Sequence, residues 1–414
     1  MRRFLVWGLG RSGSSAIRLL QEKGYEVYSG DDAKGDDFME YLELVDTVVL
    51  SPGVPPSHPL WKEAERRGME VIGELELAWR FFKGKALAIT GTDGKSTTTR
   101  LVYLILREVY ANVEEGANAG KPLSEIVLEN PSCLAVLEVS SFQGKTLKTF
   151  RPIGGAFLNF AQDHLDWHPS LEDYLRSKQN IFAQQQEEDF LLLNAENPMV
   201  ASTPSKAQKF FIGEGKDGYI KGSKAYFLGE ELFSVEKLKL KGRHNHLNAL
   251  FAGAMARLMG VEKDIIQEVL YGFRGLPYRM EYVGKVRGME VYNDSKATTP
   301  NALMSALESF PDQKVVLIAG GKDKGMDFES IRELVLKKTK AVILIGEAKE
   351  KIAKAWYGAN IALADTLEEA VELALSVGKE GDYLLFSPAC ASFDMFKDYK
   401  ERGERFNYIL STIA

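Results

Sequence analysis

The segment Ala88-Ile89-Thr90-Gly91-Thr92-Asp93-Gly94-Lys95-Ser96-Thr97 carries the strongest chemical signal in the chain. Its glycines free the backbone to turn N–H groups onto phosphate oxygens, and the N-terminus of the helix that follows the Lys-Ser pair adds a partial positive charge. Lys95 is spaced to meet β and γ phosphates, and the Ser96 hydroxyl to ligate Mg²⁺. The loop is a shortened one, because the first Gly of G-x-x-x-x-G-K-[ST] would fall on Ile89. A capped surface turn is the alternative, and the strand before and Lys-Ser-Thr-Thr-Thr after weigh against it. A second glycine turn, Gly8-Leu9-Gly10-Arg11-Ser12-Gly13, matches G-x-G-x-x-G, and Asp31-Asp32 follows about 20 residues on, where a ribose-binding carboxylate sits. The obvious ligand is NAD. A dinucleotide fold needs two halves, however, and the phosphate loop starts after only about 85 residues, so half a fold points to a mononucleotide or a nucleotide-diphosphate sugar. Ser51-Pro52-Gly53 adds a ligand loop at a strand end of the same set. Gly320-Gly321-Lys322-Asp323-Lys324-Gly325 is a third glycine turn, whose lysines suit a phosphate or a carboxylate, or equally a solvated turn.

Further polar groups recur at the ends of apolar runs. Glu138, in Glu138-Val139-Ser140-Ser141-Phe142-Gln143, is placed for a metal ion that phosphates coordinate. Asp163, His164 and Asp166 crowd one short loop, a second metal position, whereas His58 and His168 read as structural. Lys178, taken by its chemistry alone, is a surface lysine. Gly242-Arg243-His244-Asn245-His246-Leu247-Asn248 opens a helix with clustered donors, and Arg279 follows Leu-Pro. Asn293-Asp294-Ser295-Lys296-Ala297-Thr298 and Ser387-Pro388-Ala389-Cys390-Ala391-Ser392-Phe393-Asp394 complete the set, with Cys390 read as a packed residue rather than a nucleophile.

The elements that must hold these groups follow from hydrophobic patterning. Runs at 4–7, 47–50, 86–90, 134–137, 155–158, 315–319, 341–345 and 383–386 are strand-like, most of them continuously apolar, the mark of strands buried on both faces. Helical patterns at 14–23, 97–109 and 301–309 follow several of them. Repeated βα order predicts an α/β chain with mostly parallel sheets. Gly and Pro punctuation divides the chain into 1–85, a Rossmann-like domain, 86–275, a P-loop ATPase-type domain, and 276–414, again Rossmann-like. Residues 204–241 are polar and Gly-rich and read as a small β subregion of the central part.

Composition sets the outer limits. The 414 residues are 45% hydrophobic and 27% charged, with a net charge of −6, which excludes a disordered chain and argues against nucleic acid as a partner. Two cysteines make no disulfide framework and no cysteine metal site, and no apolar run reaches the roughly 18–20 residues of a membrane span. The expected setting is the cytoplasm, without membrane insertion.

Taken together, Gly-Thr-Asp-Gly-Lys-Ser-Thr, Glu-Val-Ser-Ser-Phe-Gln, Asp-His-Leu-Asp, His-Asn-x-x-Asn, Leu-Pro-x-Arg and Asn-Asp-Ser-Lys-Ala-Thr resemble the Mur ligases, the ATP-dependent amide-forming enzymes of peptidoglycan assembly. Gly-Leu-Gly-Arg-Ser-Gly, Ser-Pro-Gly and Ser-Pro-Ala-Cys-Ala-Ser-Phe-Asp-x-Phe are most similar to the D-glutamate-adding members. The resemblance implies three domains, a monomer, and UDP-N-acetylmuramoyl-L-alanine, D-glutamate and ATP as substrates, with Mg²⁺, as two ions. It implies Gly10, Arg11, Ser12, Asp31 or Asp32, Ser51, Gly53, Asn118 and His164 for the UDP-substrate. Gly91, Thr92, Asp93, Gly94, Lys95, Ser96, Thr97, Asn245, Asn248, Arg279 and Asp294 would serve ATP. Ser96, Glu138, His164 and Lys178 would serve the metals, with Lys178 as a carbamate, and Lys95, Glu138, His164 and Lys178 form the catalytic set. Lys296, Thr298, Lys324, Ser392, Phe393 and Tyr399 would line the D-glutamate side. Asp93 stands where Asn is common in the family, so its carboxylate is expected to turn away from the phosphates. A diaminopimelate-adding or folylpolyglutamate-type ligase, and a nucleotide-dependent switch without ligation, are the competing readings.

Overall fold

The computed structural model describes residues 2–413 and contains three sheets. The first runs in the order Glu26–Gly30, Arg3–Trp7, Thr47–Leu50, Glu70–Gly73, all parallel. Phe4 to Trp7 and Thr47 to Leu50 are buried throughout, as continuous apolar runs require. The chain leaves the central strand Arg3–Trp7 to opposite sides, which opens a crevice at the carboxyl ends of Arg3–Trp7 and Thr47–Leu50. The register Trp7↔Leu50 sets Gly8 next to Ser51 across that crevice. Helix Arg11–Glu22 returns over the sheet, so close that a Cβ on Gly13 would stand 1.9 Å from the Gly8 carbonyl oxygen.

The second sheet has nine strands and places Lys85–Thr90 between Leu134–Glu138 and Gly154–Phe157, all three parallel. The loops after these neighbouring strands are therefore side by side. Outward from Gly154–Phe157 come Phe190–Asn194 and Gln208–Ile212. The small β subregion expected at 204–241 is an extension of this sheet, ending in the antiparallel strands Gly218–Lys221, Lys224–Phe227 and Glu230–Ser234.

The third sheet runs Glu281–Val286, Met289–Asn293, Tyr383–Phe386, Val315–Gly320, Thr339–Ile345, Ile361–Leu363 and is parallel apart from its first strand. Three of its four inner strands carry the loops at 294–298, 387–394 and 321–325 at their carboxyl ends. The chain folds into two compact units: one holds the residues up to Glu236 with Leu247–Leu270, the other Lys237–His246 with the residues from Tyr271 onward. Among the described residues no helix is long and apolar enough to cross a membrane.

Helices begin earlier than apolar periodicity places them. Arg11–Glu22 and Lys95–Leu106 start two or three residues ahead of the patterned stretch, because Gly10 and Gly94 cap them and their first turns are polar.

Candidate nucleotide and ligation site

Strand Lys85–Thr90 delivers the glycine loop, and Gly94 turns it into helix Lys95–Leu106 with φ +82°. A side chain at Gly94 is excluded twice, since a Cβ there would also lie 2.4 Å from Asn248 Oδ1. Lys95 Nζ donates to the carbonyls of Gly91 (2.8 Å) and Thr92 (2.9 Å), holding the loop's shape from within. Ser96 Oγ donates to Glu138 Oε2 at 2.7 Å, and Asn118 Nδ2 donates to Glu138 Oε1 at 2.8 Å. Neighbouring parallel strands thus bring together Ser96 from the first turn of helix Lys95–Leu106, Glu138 from the end of strand Leu134–Glu138 and Asn118 from the loop after Val113–Ala117. Asp93 is exposed, and both its backbone N–H and C=O are taken by the Asn159 side chain, at 2.8 and 3.0 Å.

Lys178 is not a surface lysine. Its side chain is 1% exposed, Nζ donates to the Gly91 carbonyl at 2.7 Å and stands 4.9 Å from the centre of the Tyr174 ring. Burial first, then the nearby Lys95 charge, holds its ammonium well below the usual lysine range. The spacing of Leu171, Tyr174 and Lys178 on one face of helix Leu171–Gln179 was the available signal, and the charged neighbours Glu172 and Arg176, paired in solvent, masked it.

His164 sits at φ +52° with its ring 5.0 Å from that of Phe142 and its Nε2 3.4 Å from Asp163 Oδ2. His58 and His168 are structural, as expected: His58 caps helix Pro59–Arg66, and His168 is buried between Ser141 and Asp173. Left-handed backbone at a non-glycine residue is strained, and Ala117, His164, Tyr278, Met280 and Ala389 adopt it within the candidate loops.

The first sheet keeps its expected residues around the crevice. Ser51 Oγ donates to the Gly8 carbonyl at 2.6 Å, and Gly10 and Gly53 have open space where a Cβ would point. Ser12, half-buried, lies in the first turn of the glycine-capped helix. The two acids separate by role. Asp31 accepts from the Leu9 and Ala33 N–H groups, at 2.6 and 2.9 Å, bonds that hold its carboxyl below the usual range. Asp32 accepts from Trp7 Nε1 and faces His58, and remains more than half exposed. Arg11, expected on a diphosphate, forms a two-point ion pair with Glu125, at 3.1 and 2.9 Å.

In the second unit, Asp294 is buried, accepts from Ser387 Oγ (2.8 Å) and the Met280 N–H (3.0 Å), and is pushed up to about 7 by burial. Lys296 and Lys324 are exposed, each with its ammonium near an aromatic ring, 5.9 Å from that of Tyr399 and 5.2 Å from that of Phe393. Ser392 is buried, Thr298 and Arg279 are half-buried, and Phe393 is exposed. Asn245 is buried with Nδ2 on the Lys241 carbonyl. Cys390 is packed, and burial pushes its thiol up to about 12, so it is no nucleophile at neutral pH.

Sequence reasoning missed Arg402, a guanidinium 1% exposed that donates to Ser295 Oγ, the Ser295 carbonyl and the Cys390 carbonyl. It ties the 294–298 loop to the 387–394 loop. Its helix, Tyr399–Ile413, looks solvent-facing because five other charged residues flank Arg402 between 398 and 405. Asn159 and Tyr174, which brace the glycine loop through Asp93 and Thr92, were also missed.

Among the described residues no three acids or histidines converge on one point. Ser96 Oγ and the Glu138 oxygens do converge, and hydroxyl plus carboxylate is the donor chemistry of a hard cation such as Mg²⁺, which keeps waters and phosphates as its other ligands. The residues present fit that ion.

Residues 89–256 match the Mur ligase middle domain, and residues 278–390 the Mur ligase glutamate ligase domain. The chain is 58% identical to the UDP-N-acetylmuramoylalanine–D-glutamate ligase of Aquifex aeolicus, over 99% of this chain and 98% of the relative. It is 51% identical to the protein of that name from Hydrogenobaculum, over 98% of each. In fold it is similar to the UDP-N-acetylmuramate–alanine ligase of Thermotoga maritima (TM-score 0.62, 20% identity, all of both chains covered). It is also similar to the MurF ligase of Thermotoga maritima in complex with ADP (TM-score 0.61, 20% identity, 89% of this chain and 96% of that one). With two family domains matched and more than half of all residues shared with full-length relatives, the chain belongs to the Mur ligase family.

Proposed function

We infer that this chain joins D-glutamate to UDP-N-acetylmuramoyl-L-alanine at the expense of ATP, in the cytoplasmic synthesis of peptidoglycan precursors. The observation that carries the reading is the 58% identity, end to end, to a ligase of that name. In our reading residues 1–85 bind the UDP-substrate, 86–275 bind ATP and 276–414 bind the amino acid.

The alanyl carboxylate attacks the γ-phosphorus of ATP, the bond to the β–γ bridging oxygen breaks, and ADP leaves an acyl phosphate. The D-glutamate amine then attacks the acyl carbon, loses a proton, and the tetrahedral adduct expels phosphate to leave the amide. Lys95, released from the Gly91 and Thr92 carbonyls it now holds, follows the γ-phosphate and spreads its charge. Backbone N–H groups of Gly91 to Thr97 receive the remaining phosphate oxygens. Ser96 and Glu138 would hold one Mg²⁺, and His164 with Lys178 as a carbamate would hold a second; bound there, Mg²⁺ would supply neutralisation of charge on the transferring phosphoryl group. The low basicity of the buried Lys178 amine supports carbamate formation, because only a neutral amine adds to CO₂. Asn245 and Asn248 take adenine, with Arg279 and Asp294 on phosphate and ribose. Asn118, His164, Gly10, Arg11, Ser12, Asp32, Ser51 and Gly53 take the UDP-substrate. Asp31 belongs with them as the brace of the glycine turn. Lys296, Thr298, Lys324, Ser392, Phe393 and Tyr399 read D-glutamate.

The test is product identity. Radiolabelled D-glutamate is expected to enter a UDP-linked product only with UDP-N-acetylmuramoyl-L-alanine and ATP present. Incorporation of L-lysine or diaminopimelate in its place, with D-glutamate inert, would refute the assignment.

A further inference from the structure

Ser141, His168 and Asp173 form one hydrogen-bonded chain outside the reacting set, buried at Ser141 and His168 and half-buried at Asp173. Ser141 Oγ lies 2.8 Å from His168 Nε2, and His168 Nδ1 lies 2.6 Å from Asp173 Oδ2. The other oxygen of Asp173 accepts from Lys145 Nζ. Because the carboxylate can only accept, Nδ1 carries the proton, and Nε2 accepts from the serine hydroxyl. The order serine, histidine, aspartate is that of a hydrolase triad. Ser141 is 2% exposed and His168 1%, so no substrate carbonyl reaches the hydroxyl and nucleophilic catalysis is ruled out.

The chain's position in the sequence gives it a different use. Ser141 stands three residues after Glu138, His168 four after His164, and Asp173 five before Lys178. Each member is thus anchored close to one candidate cation ligand, on three different segments. Other contacts make the junction stiff. The His168 N–H donates to the His164 carbonyl at 2.9 Å. Asn180 Nδ2 donates to the carbonyls of Gly144 and Leu147, at 2.8 and 2.9 Å. Helices Ser141–Lys145 and Leu171–Gln179 approach so closely that a Cβ on Gly144 would lie 2.1 Å from the Ser177 carbonyl oxygen.

We propose that Ser141, His168 and Asp173 are a splint that fixes the mutual spacing of Glu138, His164 and Lys178, with His168 the positioning residue, and that it sets the affinity of the more weakly held divalent cation. The inference rests on the ligand roles given to Glu138, His164 and Lys178 above. Groups that orient metal ligands typically change metal affinity by about 10–100-fold when removed.

The experiment titrates Mn²⁺ into the full chain with saturating ADP, following free Mn²⁺ by electron paramagnetic resonance, and records melting temperatures alongside. The wild-type chain is expected to bind two Mn²⁺. His168→Leu is expected to weaken the second about 10–100-fold while the affinity for ADP alone changes less than about threefold. His168→Asn, which keeps a donor for Asp173, recovers part of the loss. If His168→Leu does not fold, Ser141→Ala, which removes only the hydroxyl, carries the test with a several-fold loss expected. A folded variant that binds both Mn²⁺ as the wild type does overturns the splint. Binding of a single Mn²⁺ by the wild type overturns the ligand roles themselves.

Discussion

At the residue scale, Lys178 is a buried amine with no ion pair among the described residues, so burial penalises its charged form and costs stability. Methionine fills a similar volume without the charge. Lys178→Met is therefore expected to melt at or above the wild-type temperature and yet to lose about 10²-fold or more in turnover, as when one preorganised group at a developing charge is removed. A lower melting temperature with turnover intact would mean that the side chain serves the fold. Glu74 is the opposite case. It is 3% exposed, its Oε1 accepts from the Ser124 N–H and hydroxyl, and burial pushes it up to about 7. A raised carboxyl favours the folded state while both states are protonated, and that stability is lost as pH climbs from about 4.5 through about 7. The shift corresponds to about 3 kcal/mol across that window. Glu74→Gln is expected to flatten this stretch of the pH–stability curve and to be more stable than wild type at pH 8; urea melts at pH 5 and pH 8 measure both. An unchanged slope would show that Glu74 titrates normally.

At the element scale, two glycines of one turn separate folding from binding. A Cβ on Gly13 would stand 1.9 Å from the Gly8 carbonyl oxygen, so Gly13→Ala is expected to cost about 1–3 kcal/mol and lower the melting temperature. Gly10 has nothing within 4 Å of the same point and an ordinary φ of −67°. Gly10→Ala is expected to leave melting unchanged and to raise the KM for the UDP-substrate, read from initial rates. Equal effects of the two on melting would contradict the packing account. This contrast also marks what the sequence reveals. Strands Thr47–Leu50 and Tyr383–Phe386 were legible to the residue, because continuous apolar runs between turn residues have few other uses. The loops at their ends were legible because glycine, lysine and serine types cluster there. Pairing was not legible: nothing in the text before Glu125 says that Arg11 would face it, or that Asp31 would brace the turn while Asp32 stays open. Lys178 and Arg402 were hidden for a common reason. Each is one buried cation among exposed charges on its helix, and helical charge patterning reports the majority face.

At the scale of the whole molecule, a net charge of −6 coexists with ligands that are all anions. The resolution is local: Lys95, Arg279, Lys296 and Lys324 sit at strand ends, where parallel sheets present their loops. Global charge argues against a polyanionic partner and leaves small anions untouched. Each of the three sheets carries polar loops at carboxyl ends, and the reaction proposed above assigns one substrate to each. The most direct test is ADP release by the purified full chain with ATP and Mg²⁺, measured with UDP-N-acetylmuramoyl-L-alanine and D-glutamate present together, singly and not at all. Sustained turnover only when both are present is the predicted result. Turnover of equal rate with both omitted would contradict the ligase and leave a nucleotide hydrolase in its place.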